Sequence, residues 1–417
     1  MKQYPFPDKK IWRLLVGLFL FGLLLLARDT LITTVVLGFY KSQFLMLGLI
    51  ALGALAFLIV NRKRLKEIFT DPRIVLLLVS TAVILLPMVL KRDWQMMYFS
   101  VLLCVWVGIF LSYFVSLDRA ARYYVVILCG LGLYSVLATY FLRLLPDRGL
   151  LAVPVLTNSV DVEFYNFGLC FPGITYVKNR NFGIFREPGV YQFFVLLALF
   201  ANNELARWEK PWQMWAANGI LALTMLSTFA TGGVIEMGLL AVILFIDKKW
   251  YRSRSIRNAA IALAAVLGLG VVLIVVQKGS MYVELMGMVT KFTENPESTG
   301  GRLGAIFTDA ALFFRHPLAG GNLGEVLHAV EDNTTSTMLM FAVFGILGGL
   351  LHTAGWVALV WDRQRKVWAN LALLVVMFMS FNTQNLIADV FFWLLPMMAL
   401  AQKGLPLCRK RGDHHGT

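Results

Sequence analysis

An all-α polytopic integral membrane fold of about twelve transmembrane helices is what this sequence predicts. Three observations predict it. Hydrophobic residues make up 59% of the chain and charged residues only 15%, where a soluble protein carries about 25% charged. Apolar runs recur along the chain, and a helix needs roughly 20 such residues to cross the hydrocarbon core. Lysine and arginine then gather on alternate connections between the runs, the pattern of cytoplasmic loops.

The runs fall at 11–27, 42–60, 74–90, 95–117, 123–145, 188–203, 213–230, 233–247, 259–277, 335–360, 369–384 and 387–402. The first follows MKQYPFPDKK without a small-residue cleavage site, so it reads as a retained span. The stretch 213–247 is too long for one span, and ATGG at 230–233 offers a turn that divides it. The connections RKRLK, DRAAR, NELARWEK, DKKWYRSRSIR and DRQRK, with the two tails, hold about 25 of the 38 basic residues. Both termini are therefore expected in the cytoplasm. The net charge of +14 is spread over these short segments rather than gathered on one face, which argues against a nucleic-acid partner. Cys104, Cys129, Cys170 and Cys408 are far apart and show neither disulfide nor metal-ligand spacing.

Chemistry is expected on the opposite side. There the chain, read as one transmembrane domain over 1–417, has two long connections, 146–187 and 278–334; loops that long are functional or disordered. The first contains FYNFGLCFPGITYVKNRNFGIFREPGVYQFF, whose aromatics and glycines suit an ordered cap. The second contains a helix expected near 302–315, closed by HPLAGG.

Each candidate residue has an ordinary structural reading beside the chemical one. Arg186-Glu187-Pro188-Gly189 contains plain helix-start signals, yet it places Arg186 beside an acid at membrane depth, with Arg180 close upstream. Gly301-Arg302 is a solvated helix start, or a phosphate site: arginine has a planar fork of donors, and a helix beginning there adds free N–H groups. Arg315 reads as a basic helix end. Asp332-Asn333 reads as the N-cap of the following helix, in a mouth crowded by Glu331, Thr334 and Thr335. His328 lies four residues upstream of Asp332, where a lone histidine is ordinarily solvated. Polar residues inside spans are few: Thr228, Thr231 and Glu236 at one turn, and Asn382, Gln384, Asn385 and Asp389 at another. Both turns lie on the same side and can floor one cavity.

These residues carry a resemblance. GGRLGAIFTDAALFFRHPLAGGNLG is similar to the S-G-R-x5-W-x-A-x9-H-P-L-x-G-x-G pattern of the O-antigen polymerase and O-antigen ligase superfamily. Asp332-Asn333 and Gly345-Ile346-Leu347-Gly348 follow as that pattern's H-N or D-N and G-I-x-G. NFGIFREPGVYQFF resembles the G-I-F-x-E-P-G motif of capsule and O-antigen repeat-unit (Wzy-type) polymerases. About 80 residues are covered. Phe307 or a neighbour stands in for the pattern's tryptophan, and Asp332 stands where ligases carry histidine, which favours polymerase.

The resemblance implies a metal-independent GT-C-type glycosyltransferase without cofactor at the periplasmic face of the bacterial inner membrane. Its donor would be an undecaprenyl-pyrophosphate-linked oligosaccharide, and its other partners membrane lipids, a chain-length regulator and a flippase. Arg302, Arg186 and Arg180 would meet the pyrophosphate. Glu187, Asp332 or His328 would orient or deprotonate the acceptor. Gly301 and Asn333 would line the site, and Tyr191, with Phe164, Tyr165, Phe167 and Tyr176, would stack on sugars. The rivals are an O-antigen ligase, a lipid-linked sugar transporter and a non-catalytic scaffold.

Overall fold

The computed structural model describes residues 9–158, 161–174, 179–254, scattered positions from 257 to 287, 296–330 and 333–404. The chain is mostly helical. In order, the helices are α1 (Lys9–Leu25), α2 (Phe39–Val60), α3 (Leu65–Phe69), α4 (Pro72–Lys91), α5 (Met96–Leu111), α6 (Leu117–Leu137), α7 (Leu144–Asp147), α8 (Pro188–Glu204), α9 (Pro211–Ser227) and α10 (Thr231–Asp247). They are followed by α11 (Pro296–Arg315), α12 (Leu323–His328), α13 (Thr337–Val360), α14 (Val367–Phe381) and α15 (Val390–Lys403). One two-stranded antiparallel ribbon, β1 (Val155–Thr157) and β2 (Glu163–Tyr165), decorates the first long connection.

Among the described residues, four helical stretches are long and apolar enough to cross a membrane: Tyr40–Val60, Pro72–Lys91, Leu117–Asp147 and Thr337–Val360. Shorter apolar helices accompany them, and the whole suits a membrane-embedded protein. The run 213–247 does divide in two, and the corner at Phe229 takes a left-handed φ of 49°. The expected ninth run, 259–277, lies mostly outside the described residues.

The core forms around α8 and α15, which are apolar on every face, as a helix surrounded by others must be. All but the ends of both are buried. Tyr124 of α6 stacks on Phe391 of α15 at 4.8 Å, and Tyr124 Oη donates to the Phe194 carbonyl of α8 at 2.9 Å. By contrast α2 turns Leu52, Leu55 and Ile59 outward, the composition of a lipid-facing surface.

Helix ends meet in two groups. At one end Arg73 Nη1 donates to the Ser112 carbonyl at 2.7 Å, and Gln402 Nε2 to the Val115 carbonyl at 2.6 Å. There Glu204 pairs with Lys248 at 3.1 Å and with Arg365, which also reaches Asp247 at 3.2 Å. The two long connections gather at the other end.

There, α13 is interrupted. Gly345 has φ 66° and ψ −166°, which breaks the helical ladder. Backbone groups freed at membrane depth must find partners, and the HPLAGG turn supplies them. Ile346 N–H donates to the Pro317 carbonyl at 2.8 Å and Gly321 N–H to the Ala342 carbonyl at 2.5 Å. The approach is reciprocal. A Cβ on Gly320 would strike the Val343 carbonyl, and one on Gly345 would strike that of Leu318.

Candidate functional site

The site is built from the REPG turn outward. Residues 29–31 pair with 184–186 like short antiparallel strands: Leu31 N–H donates to the Ile184 carbonyl at 2.8 Å, and Arg186 N–H to the Asp29 carbonyl at 2.9 Å. Gly183 (φ 56°) passes so close to the Tyr191 ring that a Cβ would lie 2.8 Å from it. The turn is therefore fixed before its side chains are considered.

Arg186 Nε donates to Asp29 Oδ1 at 2.8 Å, and Nη1 to Glu187 Oε1 at 3.0 Å. Glu187 holds the N-cap position of α8 but makes no side-chain cap bond. Its second oxygen instead accepts from Gln384 Nε2 at 3.4 Å. Beside its ordinary reading as an acid at the start of a helix, Glu187 is thus a carboxylate held between a guanidinium and an amide. Asp29 and Gln384 are buried, while Arg186 and Glu187 remain substantially exposed. The arrangement presents donors of a planar cation beside a carboxylate able to take a proton.

The two polar turns expected to share a floor are joined by Gln192, one turn into α8. Its Oε1 accepts from Gly233 N–H at 2.7 Å and its Nε2 donates to Thr383 Oγ1 at 3.2 Å. Buried Glu236 stands close by, near the same glycine pair. Asp389 caps α15 through Phe391 N–H at 2.9 Å.

At the α13 mouth the cap expectation is corrected. Helix α13 starts at Thr337, and its first donors, Ser336 N–H and Thr337 N–H, go to Asn382 Oδ1 at 3.2 and 2.9 Å. Asn333 does not cap it. Its Nδ2 donates to both Asp309 oxygens, at 2.9 and 3.1 Å, and Thr335 Oγ1 donates to the same carboxylate. Burial pushes the Asp309 carboxyl above the ordinary range, against the pull of Thr335 and Asn333. Asp332 lies outside the described residues.

The helix expected at 302–315 begins at Pro296. Proline followed by an acid is itself a start signal. Gly301 and Arg302 consequently sit in the second turn, their amides inside the helical ladder, so a backbone anion site there is not formed. The Arg302 side chain lies outside the described residues.

The remaining candidates are dispersed. Arg180 is half-buried between Asn179 and Asn181. Tyr140 Oη donates to the Asn179 carbonyl at 3.0 Å, and Asn181 N–H to that of Ser227 at 2.9 Å. His328 is the exposed last residue of α12. Tyr191 is in the core, its ring 5.2 Å from Phe185 and its hydroxyl 3.3 Å from Ser135 Oγ, and Phe164 is buried against Phe182. These two rings pack the protein rather than face a ligand; Tyr176 lies outside the described residues.

Sequence reasoning missed Asp29, Gln192 and Asp309. Asp29 had a signal, since ARDT puts two charges at the end of an apolar run. No family model matches the chain, and no curated protein matches it.

Proposed function

We propose that the chain is a polymerase of undecaprenyl-pyrophosphate-linked oligosaccharide repeat units, of the Wzy type, for O-antigen, capsule or exopolysaccharide. In this reading twelve spans cross the bacterial inner membrane in a GT-C-type arrangement, both termini are cytoplasmic, and the two long connections are periplasmic. The observation that carries it is the Arg186–Glu187 pair at the end of the first long connection, held by Asp29 and by Gln384, whose carbonyl also accepts from Ser336 just past the second. Arg186, with Arg302, neutralises the pyrophosphate as the sugar–phosphate bond breaks. Glu187 orients the acceptor hydroxyl and takes its proton. In this reading arginine, rather than a metal ion, carries the charge.

A second reading is favoured by one feature. A helix broken at Gly345 against a returning loop resembles the discontinuous helices of transporters, and would suit a flippase for lipid-linked sugars. A deletion strain separates the readings. Loss of a polymerase leaves lipid A-core with at most one repeat on a denaturing gel. Loss of a ligase leaves none while lipid-linked polymer accumulates, and loss of a transporter leaves none without external polymer. Either of the last two profiles would sink the polymerase assignment.

Arg302 has its own test. Without a helix terminus behind it, only its side chain contributes. A charge-assisted bond contributes about 1.5–3 kcal/mol, so Arg302→Ala should cut chain elongation about tenfold or more, with normal protein on an immunoblot. Arg302→Lys should recover little, because a point charge does not replace the fork. Wild-type chain lengths in Arg302→Ala would remove Arg302 from the site.

A further inference from the structure

The second long connection does not simply cap the bundle. Its contacts descend along α13 as the chain proceeds. Asp309 meets Asn333 and Thr335 at the mouth. One turn on, Phe313 meets Phe341, ring centroids 5.4 Å apart. Pro317 then reaches Ile346, roughly 13 Å down the helix from Thr337 at about 1.5 Å per residue. Helix α11 thus runs alongside α13 in the same sense, turns at HPLAGG, and α12 leads the chain on.

The tip of this descent rests on the corner between α4 and α5. Lys91 Nζ donates to the Gly320 carbonyl, and Leu323 N–H to Asp93 Oδ2 at 2.9 Å. What the tip turns outward is apolar: Phe314 is 76% exposed, Leu318 76%, and Trp94 of the corner 67%. The strip is continuous with outward-facing Val89 and Leu90 of α4 and Ile346, Leu347 and Leu350 of α13, both candidate spans. Its rim is cationic. Arg92, Arg315 and His316 are exposed there. The acids of this corner are Asp93, buried and engaged with Tyr98 and Leu323, and Glu325 on α12.

We infer that the end of α11 and the HPLAGG turn form a foot standing in the outer leaflet of the bilayer, with its apolar residues among acyl chains and its basic rim against anionic lipid phosphates. Aromatic and basic residues side by side mark the interfacial belt of membrane proteins, and apolar area plus cationic rim is the composition of a surface that binds anionic bilayers. The inference needs no catalytic assignment; only the choice of leaflet rests on the orientation proposed above.

The test uses the full chain, made cysteine-free, in nanodiscs. Single cysteines at Phe314 and Leu318 carry a bimane fluorophore, with Asp161 as an exposed loop control. Lipids brominated on the acyl chain should quench the foot positions at least twofold more than the control, and aqueous iodide should do the reverse. Brominated phosphatidylglycerol should outdo brominated phosphatidylcholine at Leu318, and Arg92→Gln with Arg315→Gln should erase that preference. Iodide quenching of Phe314 and Leu318 as strong as at Asp161 overturns the foot, as does protection from both quenchers, which would mean a protein cover. Equal quenching by the two lipids overturns the anionic contact.

Discussion

Arg186→Ala should abolish long-chain polymer at normal protein abundance. Losing one preorganised charge contact at a reacting centre costs roughly 3–4 kcal/mol, or about 100- to 1,000-fold in rate. Arg186 warrants that magnitude because it is preorganised twice, by the Asp29 carbonyl on its amide and the Asp29 carboxylate on its Nε. Two controls make the result specific. Asp29→Asn keeps the shape but weakens the hold on the guanidinium, and should lower the rate less than Arg186→Ala does. Glu187→Gln keeps the amide contact to Gln384 but cannot accept the acceptor's proton, and should lower turnover with little change in donor KM. The assay is polymerisation of lipid-linked repeat units by purified protein, resolved by chain length. Near-normal turnover in Arg186→Ala would remove the REPG turn from the chemistry.

The second large effect is on folding. Gly320→Val should leave little folded protein. The residue has φ 70°, a region that costs an L-residue about 1–2 kcal/mol and a β-branched one more. Its Cβ would also enter the Val343 carbonyl, and overpacking typically costs about 1–3 kcal/mol. Together these take a large part of a typical stability of about 5–15 kcal/mol. Gly301→Val is the comparison, because nothing lies within 4 Å of a Cβ at Gly301. Fluorescence-detected gel filtration after a heating series gives the readout. A Gly320→Val midpoint equal to wild type would mean that the HPLAGG turn does not pack on α13 as described.

What was legible in the sequence was local. Apolar runs gave helices, because burial is written in consecutive residues, and the run 213–247 divides as its length requires, though at Phe229 and not at the glycines of ATGG, which open α10. The start of α11 is written in Pro296-Glu297, upstream of the glycine pair beside Arg302. What was not legible was pairing across the chain. Asn333 does turn its oxygen to a backbone amide, as an N-cap residue does, but that amide is Thr335's, ahead of the helix; its Nδ2 goes to the distant Asp309, and Asn382 from another turn does the capping. Asp29 and Arg186 are separated by most of the first half of the chain, and no periodicity links them. Arg186-Glu187-Pro188-Gly189 was legible as a stretch of interest, but the partners that fix its two charges were not.

The clasp of Glu204, Lys248, Asp247 and Arg365 bears on how the protein is made. Glu204 emerges from the ribosome first and Arg365 much later, so during synthesis the acid waits with at most one of its two cations. A buried charge stripped of a partner costs about 3–5 kcal/mol. The clasp between α8 and α10 is therefore complete only once the turn before α14 has been made. Arrival of Arg365, rather than insertion of either earlier helix, is what closes this end of the bundle.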